Sequence, residues 1–278
     1  MQDIHLWIGT VLGIVFVAEL LAGRHRGIYN GNDYLVNGLC IALGYTIRPM
    51  LAVGLAVFIG WLVPAPKGAL ADLPFWPALI GIVLLAEFCN YWVHRASHLK
   101  RNNRWLGWIW PLHRTHHTAS YANVILHFRI NLFWGLVSPL AWVHSLAFYL
   151  GLYQAASVSI LIFAMWGIFT HSNFRWDDSL RSNRLTGKPF RALEHLLVSP
   201  GIHHTHHGFG GADGKHYRNF GLFLSVFDWM FGTLHIPEGR PARYGVPGAR
   251  PHWAEELFYP LYRHKPARVM ASPQPDQL

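Results

Sequence analysis

The chain has 278 residues, of which 52% are hydrophobic and only 13% are acidic or basic, and its formal net charge is +9. This composition is more apolar than that of an ordinary soluble domain, and two cysteines cannot build a disulfide framework. Because the basic residues flank apolar segments and form no DNA- or RNA-binding motif, nucleic-acid binding is excluded as well.

Long apolar segments predict a helical protein embedded in a membrane. A helix needs about 20 apolar residues to cross a bilayer, at about 1.5 Å per residue. Residues 4–21, 49–63, 74–93 and 130–170 qualify, and the last range is long enough for two crossings. Residues 34–47 are predicted to lie at the membrane surface, because both of their ends belong to the same loop. We therefore predict an all-α integral membrane bundle with about four to five crossing helices.

Lysine and arginine residues predict the orientation of this bundle, because they favour the cytoplasmic side. Arg24, Arg26 and Arg48 bracket the first loop, which places that loop in the cytoplasm and residues 64–73 outside. The next crossings return the chain to the cytoplasm twice, the second time at His171. We divide the chain into membrane helices with an interfacial segment at 1–73, a domain with a cytoplasmic cap at 74–238, and a Pro-rich tail at 239–278 that ends in predicted disorder at 271–278.

Three histidine motifs follow the apolar segments. The first motif has the spacing HxxxH and consists of His94 and His98. The second and third have the spacing HxxHH and consist of His113, His116 and His117, and of His203, His206 and His207. On a helix, residues four apart project from the same face, so the rings of each motif can converge. Imidazole suits iron, zinc and copper, and these eight histidines exceed what one ion accepts. We predict two neighbouring metal ions in a histidine-rich cap.

The signatures of other metal and cofactor sites are missing from the sequence. It has neither the paired Glu-x-x-His motifs of ferritin-type centres nor His-Glu-x-x-His, and Arg191 occupies the first position of a His-x-x-Glu-His ending at His195. The glycines of 208–214 miss the GxGxxG spacing, and no cysteine cluster can hold an iron–sulfur centre. Electrons for any redox reaction must therefore come from another protein.

Residues around the histidine motifs add a longer pattern. It comprises Glu87 and Tyr91-Trp92 before the first motif, His171-Ser172-Asn173 between the second and third, Pro200, Asn219-Phe220-Gly221, and Asp228 followed by Phe231-Gly232-Thr233. Over roughly residues 75–235 the chain thereby resembles the fatty acid hydroxylase superfamily, which includes sterol desaturases and alkylglycerol monooxygenase. It departs from the usual pattern by Glu87 in place of Asp, Thr118 in place of Ser and His204 in place of Arg.

The resemblance implies a lipid hydroxylase or desaturase that uses dioxygen. His171 is then a ninth metal ligand, and the implied set is His94, His98, His113, His116, His117, His171, His203, His206 and His207. Two iron ions are the implied cofactor, with zinc as the alternative occupant, although zinc offers no redox step. The implied partners are a membrane lipid substrate, the bilayer, and a reductase with a small electron carrier.

Several residues near the motifs have two interpretations. Glu87 and Asp228 either accept hydrogen bonds from metal-bound histidines or make ordinary structural bonds. Asn219 is expected to brace the cap, His195 is either a tenth ligand or a surface residue, and His204 is expected to point away from the metal.

The function and the basic charge also have alternatives. A membrane metal transporter is the alternative function, and it would place its ligands near the middle of the bilayer. The basic surface either faces anionic lipid or docks an acidic electron-transfer partner.

Overall fold

The computed structural model describes residues 2–248 and 250–264, which form an all-α membrane bundle with almost no strand. Its helices are α1 (Gln2–Leu21), α2 (Gly31–Leu62), α3 (Phe75–Leu99), α4 (Ile109–His117), α5 (Trp134–Val137), α6 (Pro139–Tyr149), α7 (Tyr153–His171), α8 (Trp176–Ser182), α9 (Gly187–Leu193), α10 (Pro200–His207), α11 (Val226–Met230) and α12 (Trp253–Phe258). A 3₁₀ helix spans Val124–Phe128, and two short antiparallel strands, β1 (Gly208–Phe209) and β2 (Arg243–Tyr244), pair in the cap.

Three helices, α2, α3 and α7, are long and apolar enough to cross a membrane, and the protein is an integral membrane protein. Helix α1 contributes a shorter apolar stretch, Leu6–Leu21. The described residues thus contain fewer full-length crossing helices than the predicted four to five. The difference arises because α1 is apolar only over Leu6–Leu21 and α6 is too short to cross.

The surface helix predicted at residues 34–47 is wrong, because it is the first half of α2. This helix runs for 32 residues through Pro49 and begins at a capping box formed by Asn30 and Asp33. A helix tolerates an internal proline within lipid, where no water is present to satisfy the backbone groups of a broken segment. Arg48 therefore lies inside a membrane helix, and the first loop keeps only Arg24 and Arg26.

The continuous crossing predicted in the first half of residues 130–170 is also wrong. Helix α6 has 11 residues and is only about 16 Å long, and α5 has four residues. The side chain of Asn131 accepts a hydrogen bond from the Phe133 N–H and so holds the chain out of a helix before α5. The segment still reaches the end of the bundle where residues 64–73 lie, since Gly68 donates to the Tyr149 carbonyl.

Small side chains let α3, α6 and α7 pack closely at the centre of the bundle. Ala78 and Ala86 of α3, Ala147 of α6 and Ala156 of α7 belong to one buried cluster. Close backbone approach through small residues is a common way for helices to associate in a membrane, where lipid supplies no hydrophobic driving force. This packing places the carboxyl ends of α3 and α7, with their histidines, at one end of the bundle.

A network of buried ion pairs holds α12 against the end of the bundle where the histidines lie. Arg129 is completely buried and pairs with Asp33 of α2 at 3.1 Å and with Glu256 of α12 at 2.6 Å. Its Nε also donates to the Thr115 carbonyl of α4 at 3.1 Å. Residues 240–248 and 250–264 are thus mostly irregular but return to the core through α12. The disorder predicted for 271–278 lies outside the described residues.

Replacing Arg129 with methionine should lower the thermal unfolding midpoint by roughly 10 °C, because it leaves Glu256 buried without its cation and Asp33 with only the partly exposed Arg250, at a cost of about 3–5 kcal/mol. Arg114→Met is the matched control, since the ion pair between Arg114 and Glu255 also connects α4 to α12 but is partly exposed. That change should cost about 1 kcal/mol or less. Equal midpoint shifts in detergent would contradict the assignment of the network to the core.

Candidate metal centre

All nine histidines of the implied ligand set lie together at the carboxyl ends of α3 and α7, in two buried groups. The five-histidine group contains His94, His98, His113, His117 and His206, and the four-histidine group contains His116, His171, His203 and His207. Within each group, the candidate ligand atoms lie within 4.8 Å of one another. The two groups adjoin, because the rings of His117 and His207 stack with centroids 4.4 Å apart.

The second and third motifs each contribute to both groups. On α4, His113 and His117 are four residues apart and enter the five-histidine group, whereas His116 enters the other. Helix α10 shows the reverse division, with His203 and His207 in the four-histidine group and His206 in the other. Around a helix, the residue at i+4 lies about 40° to one side of residue i and the residue at i+3 about 60° to the other, so adjacent histidines such as His116 and His117 point about 100° apart. The HxxHH spacing therefore lets one short helix serve two neighbouring sites.

Backbone carbonyls fix the orientation of four histidine rings. The Nδ1 atoms of His94 and His171 lie 2.7 Å from the carbonyl oxygens of Phe220 and Gly167, and those of His206 and His116 lie 2.8 Å and 3.3 Å from the carbonyls of Arg218 and Arg129. A carbonyl only accepts, so each Nδ1 carries the proton and each Nε2 keeps its lone pair. This arrangement is typical of histidines that bind a metal through the other nitrogen.

The free ring nitrogens fit a cation. The Nε2 atoms of His116 and His171 lie 3.1 Å apart, and their lone pairs repel each other unless a positive charge lies between or beside them. In the five-histidine group, the buried Nε2 atoms of His94, His98 and His206 have no hydrogen-bond partner among the described residues. Burying polar atoms without partners is costly, and metal coordination removes that cost. The residues therefore fit metal ions at both groups.

Burial keeps these rings neutral and so available to a metal. For the six histidines of α4 and α10, desolvation first and the charges of neighbouring histidines second hold the pKa well below its usual range; these residues are His113, His116, His117, His203, His206 and His207. A neutral imidazole is the form that coordinates metal, because the protonated ring has no free lone pair.

Neither Glu87 nor Asp228 accepts a hydrogen bond from a histidine, so the interpretation of both as histidine partners is wrong. Glu87 accepts from the Leu222 N–H at 2.6 Å, and Asp228 accepts from the N–H groups of Phe220 and Gly221 at 2.8 and 2.7 Å. The two carboxylates hold the segment whose Phe220 carbonyl orients His94. They therefore act on the centre through the backbone.

The remaining residues near the motifs take the following positions. Asn219 braces the cap as predicted, donating to the carbonyls of Ile202 and His235. His204 also points away from both groups as predicted, with Nδ1 2.9 Å from the hydroxyl of Tyr244. His195 belongs to neither group, and its Nδ1 lies 2.8 Å from the Arg191 carbonyl.

Three residues lie beside the centre that the sequence did not predict to be there. His127 lies outside every motif, yet its ring centroid is 5.3 Å from that of His171. Arg101 places Nη2 3.2 Å from Nδ1 of His98 and stacks over Trp110 at 3.6 Å. Arg101 and Trp110 lie three residues from His98 and His113, a helical spacing, whereas only the tertiary structure brings His127 to the centre.

A cavity of about 360 Å³ extends from the centre into the apolar part of the bundle. Five of the grouped histidines line it, namely His94, His113, His116, His171 and His203. Its remaining wall is largely apolar and comes from α2, α5, α6 and α7, including Leu51, Leu140, Phe148 and Phe163. An apolar chamber of this size that ends in a cluster of polar groups is typical of a small-molecule site.

Comparisons with known proteins agree with this geometry. The chain is 24% identical to a very-long-chain aldehyde decarbonylase of Oryza sativa subsp. japonica over 75% of its length, 26% to an alkylglycerol monooxygenase of Danio rerio over 67%, and 23% to a Delta(7)-sterol 5(6)-desaturase of Gibberella zeae over 63%. It spans only 29%, 36% and 42% of those relatives. No solved structure matches significantly. The fatty acid hydroxylase family model matches residues 79–233, more than half of the chain, and the chain belongs to that family.

Proposed function

We propose that this protein is a membrane-bound di-iron oxygenase that hydroxylates or desaturates an unactivated C–H bond of a lipid. The observation that carries the proposal is the apolar cavity that ends at five of the grouped histidines. Relatives named as an alkylglycerol monooxygenase and a sterol desaturase support it. A metal transporter would need ligands near the bilayer midplane, whereas both groups lie where α3 and α7 end.

We assign one iron ion to each histidine group. Iron would supply the activation of dioxygen, a redox role that zinc cannot fill. The protein's part is to hold nine neutral ring nitrogens in place, four of them through N–H donation to backbone carbonyls. Hydroxylation consumes the lipid, one dioxygen, two electrons and two protons and yields the alcohol and one water, and desaturation yields the alkene and two waters.

The cavity wall would orient the lipid and exclude water. Leu51, Phe148 and Phe163 provide apolar surface for a hydrocarbon chain. Asn90, one helical turn before His94, lines the same cavity, and its buried Nδ2 has no partner within residues 2–248 and 250–264. This N–H group is therefore free to donate to a polar group of the bound lipid.

We propose that the metal centre faces the cytoplasm. Arg24, Arg26 and the basic run after α3 lie at the end of the bundle that holds the histidines, while residues 64–73 lie at the opposite end. Reporter fusions after Leu99 should register the cytoplasm and fusions within 64–73 the outside. The reverse pattern would refute this orientation.

The lipid reaction is tested by untargeted lipidomics of cells that express the protein under ¹⁸O-labelled dioxygen. A matched culture should express His171→Ala, which removes a proposed ligand. We expect a lipid that gains either one labelled oxygen or one double bond only in the first culture. Identical lipid profiles in both cultures, with both proteins present in the membrane, would overturn the proposed function.

A further inference from the structure

Arg48 is a charged residue on a membrane-spanning helix that the metal centre does not explain. It lies near the middle of α2, is exposed and lines the cavity. Its one side-chain hydrogen bond within the described residues runs from Nη2 to the Phe128 carbonyl at 3.3 Å, and it forms no ion pair there. Ionisable residues inside membrane segments are costly, and they usually mark a site for a substrate or an ion.

The backbone makes room for this guanidinium. Gly44 lies one turn before Arg48, and a Cβ at Gly44 would lie only 3.3 Å from Cζ of Arg48. The missing side chain lets the guanidinium lie against the helix while its other N–H groups stay available. Because guanidinium carries five N–H donors in a planar fork, most of them are free for a ligand.

The cavity therefore has a cationic end and an apolar end. Arg48 and His127 line the same cavity. His127 in turn lies beside His171, at 5.3 Å between ring centroids. Away from this end the wall carries Phe148 and Phe163. A molecule with an anionic group attached to a hydrocarbon chain complements both ends.

We propose that Arg48 binds the anionic headgroup, a carboxylate or a phosphate, of the lipid that occupies the cavity. A guanidinium pairs with either group through two parallel hydrogen bonds, and such charge-assisted bonds are stronger in a site that excludes water. The identification of this lipid as the substrate rests on the proposed function. The binding of its headgroup by Arg48 does not rest on that function.

Native mass spectrometry of the purified protein in a neutral detergent tests the recognition directly. The probes are a long-chain fatty acid, its methyl ester and a lysophosphatidic acid of the same chain length, at mildly alkaline pH. The wild-type protein should bind at least one of the two anionic lipids about tenfold or more tightly than the methyl ester, because only an anionic headgroup forms charge-assisted bonds with Arg48. Inorganic phosphate should not displace the lipid, since it has no chain for the apolar end.

Variants then assign the preference to Arg48. Arg48→Met should bind the anionic lipids and the ester equally, and Arg48→Lys should keep a weaker preference because its charge remains without the fork. Arg24→Met is the matched control, since it removes an exposed arginine that does not line the cavity, and it should keep the full preference.

Equal binding of ester and anion by the wild-type protein, or an unchanged preference in Arg48→Met, would overturn the proposal. Displacement of the lipid by inorganic phosphate would do the same. Because no turnover is measured, failure of the oxygenase function leaves this result interpretable.

Discussion

Replacement of His171 by alanine should release iron from the four-histidine group and lower lipid oxidation by more than about a hundredfold. The Nε2 atom of His171 lies 3.1 Å from that of His116 and 2.9 Å from that of His203, so its loss opens one side of the group. Loss of a residue that merely orients a metal ligand typically costs about 10–100-fold, and loss of the ligand itself should cost more. The measurements are iron per chain and the rate of product formation.

His195→Ala is the matched control for this prediction. His195 is also a histidine of the cap, but it belongs to neither group and packs against Trp229 at 5.2 Å between ring centroids. Iron content and rate should therefore stay at the wild-type level. If His195→Ala and His171→Ala lose iron to the same extent, the division of the histidines into ligands and non-ligands is wrong.

The purified protein should be inert with NAD(P)H and dioxygen until an electron-transfer partner is added. The sequence shows no flavin, haem, iron–sulfur or nicotinamide motif that collects the two electrons of each turnover. A reductase with a small acidic carrier is the proposed source, docking on the basic loop between α3 and α4. Association should weaken with salt, as the Debye length falls from about 10 Å at 0.1 M to about 3 Å at 1 M.

A charge reversal in that loop tests the docking. Arg104→Glu should raise the carrier concentration for half-maximal rate several-fold and leave the iron content unchanged, because Arg104 is exposed and contacts Trp105 rather than a histidine. Arg101 is unsuitable for this purpose, since it touches His98. Lys67→Glu makes the same charge change at the opposite end of the bundle and should have no effect. Turnover without any partner protein would refute the requirement for a carrier.

The helical spacing of the three motifs was sufficient to predict eight of the histidines that gather, and the family resemblance added His171. The sequence was not sufficient to divide them between two groups. That division depends on how α4 and α10 face each other. His116 of α4 joins His203 and His207, and His206 of α10 joins His113 and His117. The periodicity of the sequence shows which residues share a face of one helix. Which other helix contacts that face depends on how the whole bundle packs.

The errors in the fold have a related cause. Arg48 indicated that the first loop extended to that residue, but within lipid the intrahelical hydrogen bonds maintain α2 through Arg48 and Pro49. Conversely, the uncharged sequence at residues 130–150 indicated a crossing, but Asn131 bonds to the backbone and breaks the helix. Hydropathy reports the environment of a segment and cannot report which local hydrogen bonds interrupt it.

The most direct measurement of the central claim is the metal content of the protein purified in detergent after growth with ample iron. Two histidine groups, each with ligand atoms within 4.8 Å, predict two iron ions per chain. The same analysis of His171→Ala and of His98→Ala should give one ion each, since these residues belong to different groups. A wild-type protein with one iron ion or none, or with zinc at both positions, would contradict the account.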